Sequence, residues 1–397
     1  MKILILGADG YLGWSLTTHL MHSSHELLLV DNYSKRKLMR KLNRKTIKNI
    51  SRIETKLPYI KEYNKKVSFK KTDCKDINNL KNIFKKFKPN AVIHFAEYPS
   101  APLSMLNDEY GWETFENNLK TTFNLASCVK NFCPDCHIIK LGTMGEYGTP
   151  NIDIEEGWLR VNHKKRKETF LYPRQGSSVY HTSKIMDTDM LWLYTRLYKL
   201  RTTDLMQGPV YGLNFNSTDN NRLITSFAYD DIFGTVLNRF IVQAVSGVPL
   251  TVYGSGNQIR GYININDTLE CISLALKNKP KRGELKIHNQ FTEQFSVNKL
   301  ANLVCDSMKD FNIKVKIKRI HNPRIENENH YYNAKNIGCN DNEEISVQEF
   351  LQYETNFENY KSWSIAFLED HIDYVGDELV LENCIIDEGR IITDEKC

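Results

Sequence analysis

A glycine-rich turn near the amino terminus constrains the fold of this chain more than any other feature. The turn, Gly7-Ala8-Asp9-Gly10-Tyr11-Leu12-Gly13, follows an apolar run at Lys2–Leu6 and precedes a helical pattern over residues 11–21. A second apolar run, residues 26–30, ends at Asp31. Glycines at such a turn let a pyrophosphate reach the helix amino terminus, and an acid at the next strand tip suits a ribose hydroxyl. The sequence therefore predicts a dinucleotide-binding βαβ unit, with Asp31 favouring NAD over NADP.

Apolar runs and helical patterns alternate over the first half of the chain. Alternation of this kind is typical of an α/β fold with a Rossmann-type, doubly wound parallel sheet. Beyond residue 212 the segments are short and interrupted by glycine and proline. The further predicted strands are Val67–Lys71, 91–95, 137–141 and 202–206, and the further predicted helices are 79–87, 113–131 and 180–198. We expect a cofactor-binding domain over 1–212, a smaller substrate-binding cap over 213–340 with segments that return to the main sheet, and an acidic extension over 341–397.

Charge divides the chain into a basic body and an acidic end. Residues 340–397 hold 3 Lys/Arg and 16 Asp/Glu, a net charge of −13, which leaves +18 for residues 1–339. A basic body suits an anionic ligand, and we expect no nucleic-acid partner. The densest basic run, residues 35–48, is predicted to be a solvated helix face on which Arg36 alone binds ligand. In the acidic end, residues 363–368 have helical spacing and residues 379–386 form a strand-like run.

The amino-terminal sequence and the cysteines bear on the cellular compartment. No stretch approaches the roughly 18 apolar residues of a membrane span. A strand begins at residue 2, so we expect no signal or transit peptide and a cytoplasmic location. The nine cysteines are then expected to be free thiols, and no metal site is expected.

Tyr180 and Lys184 have the spacing that places two side chains on one helix face. An ammonium beside a phenol lowers the pKa of the phenol, and a phenolate can take a proton from a sugar hydroxyl while a hydride leaves the same carbon. Together with the glycine turn, the pair predicts a nicotinamide enzyme of the short-chain dehydrogenase type. Tyr180 would be its acid/base and Lys184 would also bind the cofactor ribose. Thr143, after the fifth strand, is expected to hydrogen-bond the same hydroxyl.

Residues 142–157 closely resemble a segment of the UDP-sulfoquinovose synthase family, and so do 230–240, 250–254, 289–297 and 330–334. Generic dehydrogenase motifs would not produce the later segments, and the similarity runs to about residue 335. The resemblance implies an enzyme that converts UDP-glucose and sulfite to UDP-sulfoquinovose, and we expect it to work as a homodimer. In that family NAD oxidises C4, water is lost across C5–C6, sulfite (free or from a donor protein) adds at C6, and C4 is reduced again.

Two features depart from the family. Pro99 stands before Ser100-Ala101-Pro102, where the family has an arginine that reaches substrate, and a proline supplies no charge to an anion. Residues 340–397 do not match the family's carboxyl end. A UDP-sugar 4-epimerase or 4,6-dehydratase that acts without sulfite is therefore the alternative.

Dehydration requires a base for the C5 proton and an acid for the C6 hydroxyl. Hexose dehydratases carry an Asp-Glu pair after the threonine, whereas this chain has Met144-Gly145. Glu146 and His181 are the nearest titratable substitutes. His181 is favoured as the C5 base because imidazole titrates near neutrality, and Glu146 would then serve the C6 hydroxyl or orient the site.

The remaining candidate contacts follow from position and from the resemblance. The predicted cofactor contacts are Gly7, Gly10, Tyr11, Leu12, Gly13, Asp31, Asn32, Arg36, Asp73, Cys74, Phe95, Ala96, Asn118, Lys184 and Val210. The predicted substrate contacts are Thr143, Gln175, Tyr180, Arg239, Thr251, Tyr253, Arg260 and Tyr331, with Arg239 and Arg260 placed on the UDP diphosphate because forked guanidinium groups pair well with phosphate.

Overall fold

The computed structural model describes residues 1–46, 50–214, 223–309, 312–324 and 328–336, together with four short strands between 374 and 393. The strands are β1 (Lys2–Leu6), β2 (Glu26–Asp31), β3 (Val67–Lys71), β4 (Ala91–His94), β5 (His137–Thr143), β6 (Trp158–His163), β7 (Arg166–Leu171), β8 (Arg201–Gln207), β9 (Val210–Tyr211), β10 (Leu250–Tyr253), β11 (Ile259–Asn264), β12 (Leu285–Gln290), β13 (Glu293–Ser296), β14 (Ile317–Ile320), β15 (Tyr374–Val375), β16 (Glu378–Leu379), β17 (Cys384–Asp387) and β18 (Arg390–Thr393).

The helices of the described residues lie mostly between these strands. They are α1 (Tyr11–His19), α2 (Ser34–Lys41), α3 (Ile53–Tyr63), α4 (Ile77–Phe87), α5 (Ala101–Ser104), α6 (Asp108–Phe132), α7 (Val179–Tyr198), α8 (Val236–Val245), α9 (Ile265–Lys277) and α10 (Val297–Lys309). None of them is both long enough and apolar enough to cross a membrane.

Seven strands form the central sheet in the order β12-β8-β5-β4-β1-β2-β3, and every neighbouring pair is parallel. The reversal of strand order between β1 and β4 creates a crevice at the carboxyl ends of the strands, where α/β proteins bind ligands. The predicted α/β fold with a doubly wound parallel sheet is confirmed.

The apolar strands explain why helices cover both faces of the sheet. Ile3 and Ile5 are fully buried in a cluster that includes residues of α1 and α9, whereas Leu4 and Leu6 are fully buried in a cluster that includes residues of α4 and α6. Side chains alternate between the two faces of a strand, so a continuous apolar run must be covered on both sides.

The later part of the chain builds a second apolar layer and also extends the main sheet. Helices α8 and α10 pack with β10 around Phe240, Val252 and Leu300. Strand β10 pairs with β14, and β11 pairs with β9 and β13. Strand β12 instead joins the main sheet beside β8.

Two predicted element boundaries require comment. Helix α6 begins at Asp108 rather than at 113, because the Asn107 side chain caps it by accepting from the Tyr110 amide at 2.9 Å. The run predicted as one strand over 379–386 contributes to two separate hairpins, β15–β16 and β17–β18. The helical spacing at 363–368 lies outside the described residues.

Candidate active site

A cavity of about 900 Å³ opens at the carboxyl ends of β1, β2, β4 and β5, with residues of the 231–262 segment on its opposite wall. The predicted cofactor contacts that line it are Gly7, Gly10, Tyr11, Leu12, Gly13, Asp31, Asn32, Asp73, Cys74, Phe95, Ala96, Lys184 and Val210. The predicted substrate and catalytic residues that line it are Thr143, Gln175, Tyr180, His181, Arg239, Tyr253 and Arg260.

The glycine turn is too compact for side chains. Gly7 has a φ of +82°, and a Cβ there would lie 2.5 Å from the carbonyl carbon of Phe95. A Cβ at Gly13 would lie 2.1 Å from the oxygen of Gly7. Glycine at both positions lets the turn pack closely against its own backbone and against the loop after β4, and the turn lines the cavity at the amino terminus of α1, where a pyrophosphate can bind. The residues present therefore fit a dinucleotide.

Asp31 ends β2 with its carboxylate fixed by two backbone amides. It accepts from Asp9 N at 2.9 Å and from Tyr33 N at 2.6 Å. Burial raises the pKa of Asp31 to about 6, so the group is mainly a carboxylate at neutral pH. A fixed acceptor at this strand tip fits a ribose hydroxyl.

Arg36 does not line the cavity, contrary to the sequence-based prediction. Its Nε and second terminal nitrogen donate to the Asp9 carboxylate at 2.5 and 2.8 Å. Other members of the same basic run also have specific roles, because Lys35 lines the cavity and Arg44 pairs with Asp231 at 3.0 Å. The prediction of a solvated basic face is therefore wrong for these residues.

Asn118 is also placed behind the cavity wall. It is fully buried, its Oδ1 accepts from the Tyr98 amide at 2.8 Å, and its Nδ2 donates to Ser183 Oγ at 3.0 Å. Asn118 thus joins α6 and α7 to the loop after β4, and its neighbour Asn117 lines the cavity instead.

Tyr180 and Lys184 lie near the start of α7 and both line the cavity. Ser178 caps the helix by accepting from His181 N at 3.1 Å, and Tyr180 N donates to Ser104 Oγ at 3.0 Å. Burial raises the pKa of the Tyr180 phenol above its usual value. The predicted lowering of that pKa by Lys184 is wrong for this arrangement, because the ammonium pairs with a carboxylate.

That carboxylate belongs to Glu97, which the sequence analysis missed. Glu97 contacts Lys184 Nζ, and its Oε1 lies 3.3 Å from His94 Nε2 and 3.2 Å from Thr122 Oγ1. Burial alone would raise the pKa of Glu97, but Lys184 and His94 outweigh it and hold that pKa well below its usual range. An acid soon after the end of β4 was the available signal, since the carboxyl ends of parallel strands share one edge.

His181 and Gly145 occupy one side of the cavity together. A Cβ at Gly145 would lie 2.3 Å from His181 Nε2, so the glycine provides the space for the imidazole ring. The Tyr180 and His181 ring centres are 5.2 Å apart. Burial and the nearby Arg260 and Arg324 lower the pKa of His181 to about 4, which makes the imidazole neutral at neutral pH.

Glu146 does not line the cavity, which disagrees with a role at the C6 hydroxyl and agrees with the alternative prediction that it orients the site. It is fully buried beneath the turn at Met144–Glu146, with its carboxylate 3.1 Å from Lys140 Nζ and 3.6 Å from the Arg174 guanidinium. Lys140 also pairs with Asp204 of β8 at 3.2 Å. Glu146 therefore anchors the turn that carries Thr143, and His181 is the predicted dehydration residue that the structure brings to the cavity.

The arginines of the opposite wall, residues 231–262, are held by neighbouring groups. Arg239 donates to Tyr253 Oη at 2.9 Å, and Arg260 lies 2.8 Å from His330 Nε2.

Two predicted substrate contacts lie outside the cavity lining. Thr251 is buried against Gln243, and Tyr331 is exposed and donates to Asp153 at 2.5 Å. Tyr332 lines the cavity in place of its neighbour.

Comparison with known proteins identifies the family. Residues 3–288 match the model of the NAD dependent epimerase/dehydratase family. The chloroplastic UDP-sulfoquinovose synthase of Spinacia oleracea is 42% identical over 94% of this chain and 77% of its own length. The UDP-sulfoquinovose synthase of Sulfolobus acidocaldarius is 37% identical over 91% of this chain and 95% of its own length. The chain belongs to the UDP-sulfoquinovose synthase family.

A solved structure supports the fold of this UDP-sulfoquinovose synthase family member. The dTDP-glucose 4,6-dehydratase of Bacillus anthracis, solved with NAD, covers 93% of this chain and 97% of its own chain at a TM-score of 0.64. Its sequence identity of 15% limits the comparison to the fold.

Proposed function

We propose that this protein converts UDP-glucose and sulfite to UDP-sulfoquinovose with NAD as its cofactor. The observation that carries the proposal is the convergence of Thr143, Tyr180 and His181 on the same cavity as the glycine turn and Asp31. The two synthases of 42% and 37% identity support the choice of substrate over that of other epimerase-like enzymes.

The side chains can divide the chemistry between two adjoining carbons. Tyr180 takes and returns the proton of the C4 hydroxyl, which Thr143 orients. His181 is neutral and can accept the C5 proton once C4 is a ketone. The pKa of His181 is lowered to about 4, so the protonated imidazole gives up its proton readily. His181 can therefore pass the proton taken from C5 to the departing C6 hydroxyl. This route needs no second carboxylate in the cavity.

We propose NAD rather than NADP as the cofactor, held through the whole cycle. When bound, NAD would supply the hydride chemistry at C4 in both directions. Gly7, Gly13 and Asp31 would hold its pyrophosphate and adenosine ribose, and Lys184 its other ribose. Asp31 would repel a 2′-phosphate, and Arg36 is already paired with Asp9.

Sulfite use is the step with the least support from the family pattern, because Pro99 lines the cavity without a charge. The cavity carries other cations, including Lys35, Arg260 and Arg324. We propose that these supply the positive potential for the anion, whether sulfite arrives free or from a donor protein. A 4-epimerase or 4,6-dehydratase acting without sulfite is the second candidate, and Pro99 is the observation that favours it.

The partner proposed for the α6–α7 face is a second copy of this chain. Trp112 and Leu197 are 65% and 61% exposed, and Phe123, Met186 and Leu193 add to the same pair of helices. Glu116 and Lys120 carry opposite charges within this apolar face, so a twofold arrangement can pair them across the interface. Trp112→Glu should shift the protein from dimer to monomer in analytical ultracentrifugation, whereas Tyr63→Glu on α3 should not. A monomeric wild type would contradict the proposed dimer.

The cytoplasmic location stays a prediction from the sequence.

Product analysis tests the activity. Purified full-length protein is incubated with UDP-glucose with and without sulfite, and the nucleotide sugars are separated and weighed by mass spectrometry. We expect a sulfonated product only with sulfite. An unsulfonated 4-keto-6-deoxy sugar or UDP-galactose, formed equally in both mixtures, would favour the second candidate.

A further inference from the structure

The Lys184 ammonium lies in a buried site and already has a counter-charge. The side chains of Lys184 and Glu97 are 2% and 6% exposed, and their charged atoms are in contact. Among the described residues, no other carboxylate lies within ion-pair distance of Lys184. A buried ion pair has little field at a distance compared with a lone ammonium, because the two charges nearly cancel.

Glu97 is held in this position from two elements. His94 belongs to β4 and Thr122 to α6, and both lie within 3.3 Å of Glu97 Oε1. The His94 and Thr122 side chains also contact each other at 3.0 Å. Such support fixes the carboxylate against Lys184 instead of leaving it free to turn toward the cavity.

Asp187 follows Lys184 by one helical turn and is fully buried. Burial, with the negative charge of Glu97 added to it, raises the pKa of Asp187 well above its usual range. Its carboxyl lies outside ion-pair distance of Lys184, so Glu97 is the carboxylate that contacts the ammonium.

We propose that Glu97 is a positioning and charge-balancing residue, which holds Lys184 at the cavity floor and cancels the field of that ammonium at the Tyr180 phenol. The proposal rests on the acid/base role of Tyr180 in the proposed function. Its consequence is that Tyr180 stays a neutral phenol until further positive charge reaches the site. The nicotinamide ring of the oxidised cofactor carries such a charge when bound.

The charged and titratable groups that face Tyr180 and Lys184 come from every neighbouring element. Removing the negative charge of Glu97 leaves Lys184 unbalanced, which favours the phenolate and lowers the pKa of Tyr180. The other groups are left as they are in that variant. They are Lys140 of β5, Glu146 of the following turn, and His181 and Asp187 of α7, with His94 behind Glu97.

The test is a titration of the Tyr180 phenol by NMR in the full-length protein labelled at the tyrosine Cζ, with Tyr180→Phe used to assign the signal. We expect Glu97→Gln to lower the pKa of Tyr180 by about 1 to 3 units, as loss of a nearby like charge does. Glu97→Asp keeps the charge but withdraws it from Lys184, so it should give a smaller shift in the same direction. Glu62→Gln, the same change on the exposed surface of α3, should give none.

The second readout is the pH dependence of NADH formation on adding UDP-glucose. Its acid limb should move to lower pH in Glu97→Gln, whereas a variant that is only less stable would lose amplitude without moving the limb. An unmoved or raised pKa of Tyr180 in Glu97→Gln overturns the proposal, and if that variant does not fold, the same result in Glu97→Asp does so. The NMR titration needs no substrate, so a failure of the sulfonation proposal would leave this result readable.

Discussion

At the scale of single residues, His181 and Glu146 show how placement decides chemistry. Both are titratable, but His181 faces the cavity and Glu146 lies in a buried ion-pair cluster with Lys140 and Asp204. A neutral imidazole in the cavity can accept a proton from substrate. A carboxylate beneath the turn can only position the residues above it.

We therefore expect different outcomes when each is replaced. His181→Ala should still oxidise C4 but lose product formation by about 10²–10⁴-fold, because dehydration lacks its base. Bound NADH should appear on adding UDP-glucose and should not decay, as followed by its absorbance. Glu146→Gln should lower the free energy of unfolding by about 3 kcal/mol or more, since one partner of a buried ion pair is removed. Persistent NADH in Glu146→Gln, with normal turnover in His181→Ala, would exchange the two roles.

At the scale of elements, the Met144–Glu146 turn that follows β5 sets the position of the His181 imidazole. Gly145 leaves space that any side chain would fill, with an added Cβ 2.3 Å from His181 Nε2. Gly145→Ala should displace the ring, and a displacement near 1 Å can cost about 10²-fold in rate. We expect the stalled, NADH-bound state of His181→Ala. The control is Gly247→Ala after α8, where an added Cβ meets nothing within 4 Å but a φ of +68° strains an alanine, so this variant should lose stability and keep its turnover. Equal turnover in both variants would contradict the account.

Helix α3 carries a buried lysine that makes stability depend on pH. Lys56 is 1% exposed, its Nζ lies 3.5 Å from the centre of the Trp14 ring, and burial lowers its pKa to about 7. Between about pH 7 and the usual lysine range the unfolded chain binds more protons, so this group makes the free energy of unfolding rise with pH. Lys56→Met should be more stable than wild type near pH 7, with the difference shrinking toward about pH 10. Denaturant unfolding at several pH values measures the stability difference between the variant and wild type. A difference that does not change with pH would contradict the role given to Lys56.

Sequence patterns within single segments predicted the helices and strands, whereas contacts between distant segments determine where the side chains of the site lie. The glycine turn, β1 and α7 were predictable because each signal lies within one segment: glycine spacing for the turn, an apolar run for β1 and helical spacing for α7. The pairing of Arg36 with Asp9 was not, nor was the burial of Glu146 against Lys140 on β5. Both ion pairs depend on which segments become neighbours in the fold. The local sequence does not predict which side of a turn a carboxylate will face.

At the scale of the whole molecule, one cavity lies between the parallel sheet and the 231–262 segment, and in the proposed function it holds both cofactor and substrate. The sheet side of the cavity is lined by the glycine turn, Asp31 and Lys184. The opposite side is lined by Arg239 and Arg260. Tyr180 and His181 lie between them on α7. Such an arrangement allows oxidation, elimination, addition and reduction to take place on one bound sugar without release of an intermediate.

The fate of the C4 hydrogen tests this account most directly. UDP-glucose carrying deuterium at C4 is incubated with sulfite and the full-length protein, with Tyr180→Phe as the inactive control, and the product is analysed by mass spectrometry and NMR. The account predicts UDP-sulfoquinovose that keeps its deuterium at C4 in the glucose configuration, because the hydride returns to the carbon it left. Deuterium at C6 of an unsulfonated 4-keto sugar, or at C4 of the inverted sugar, would contradict it.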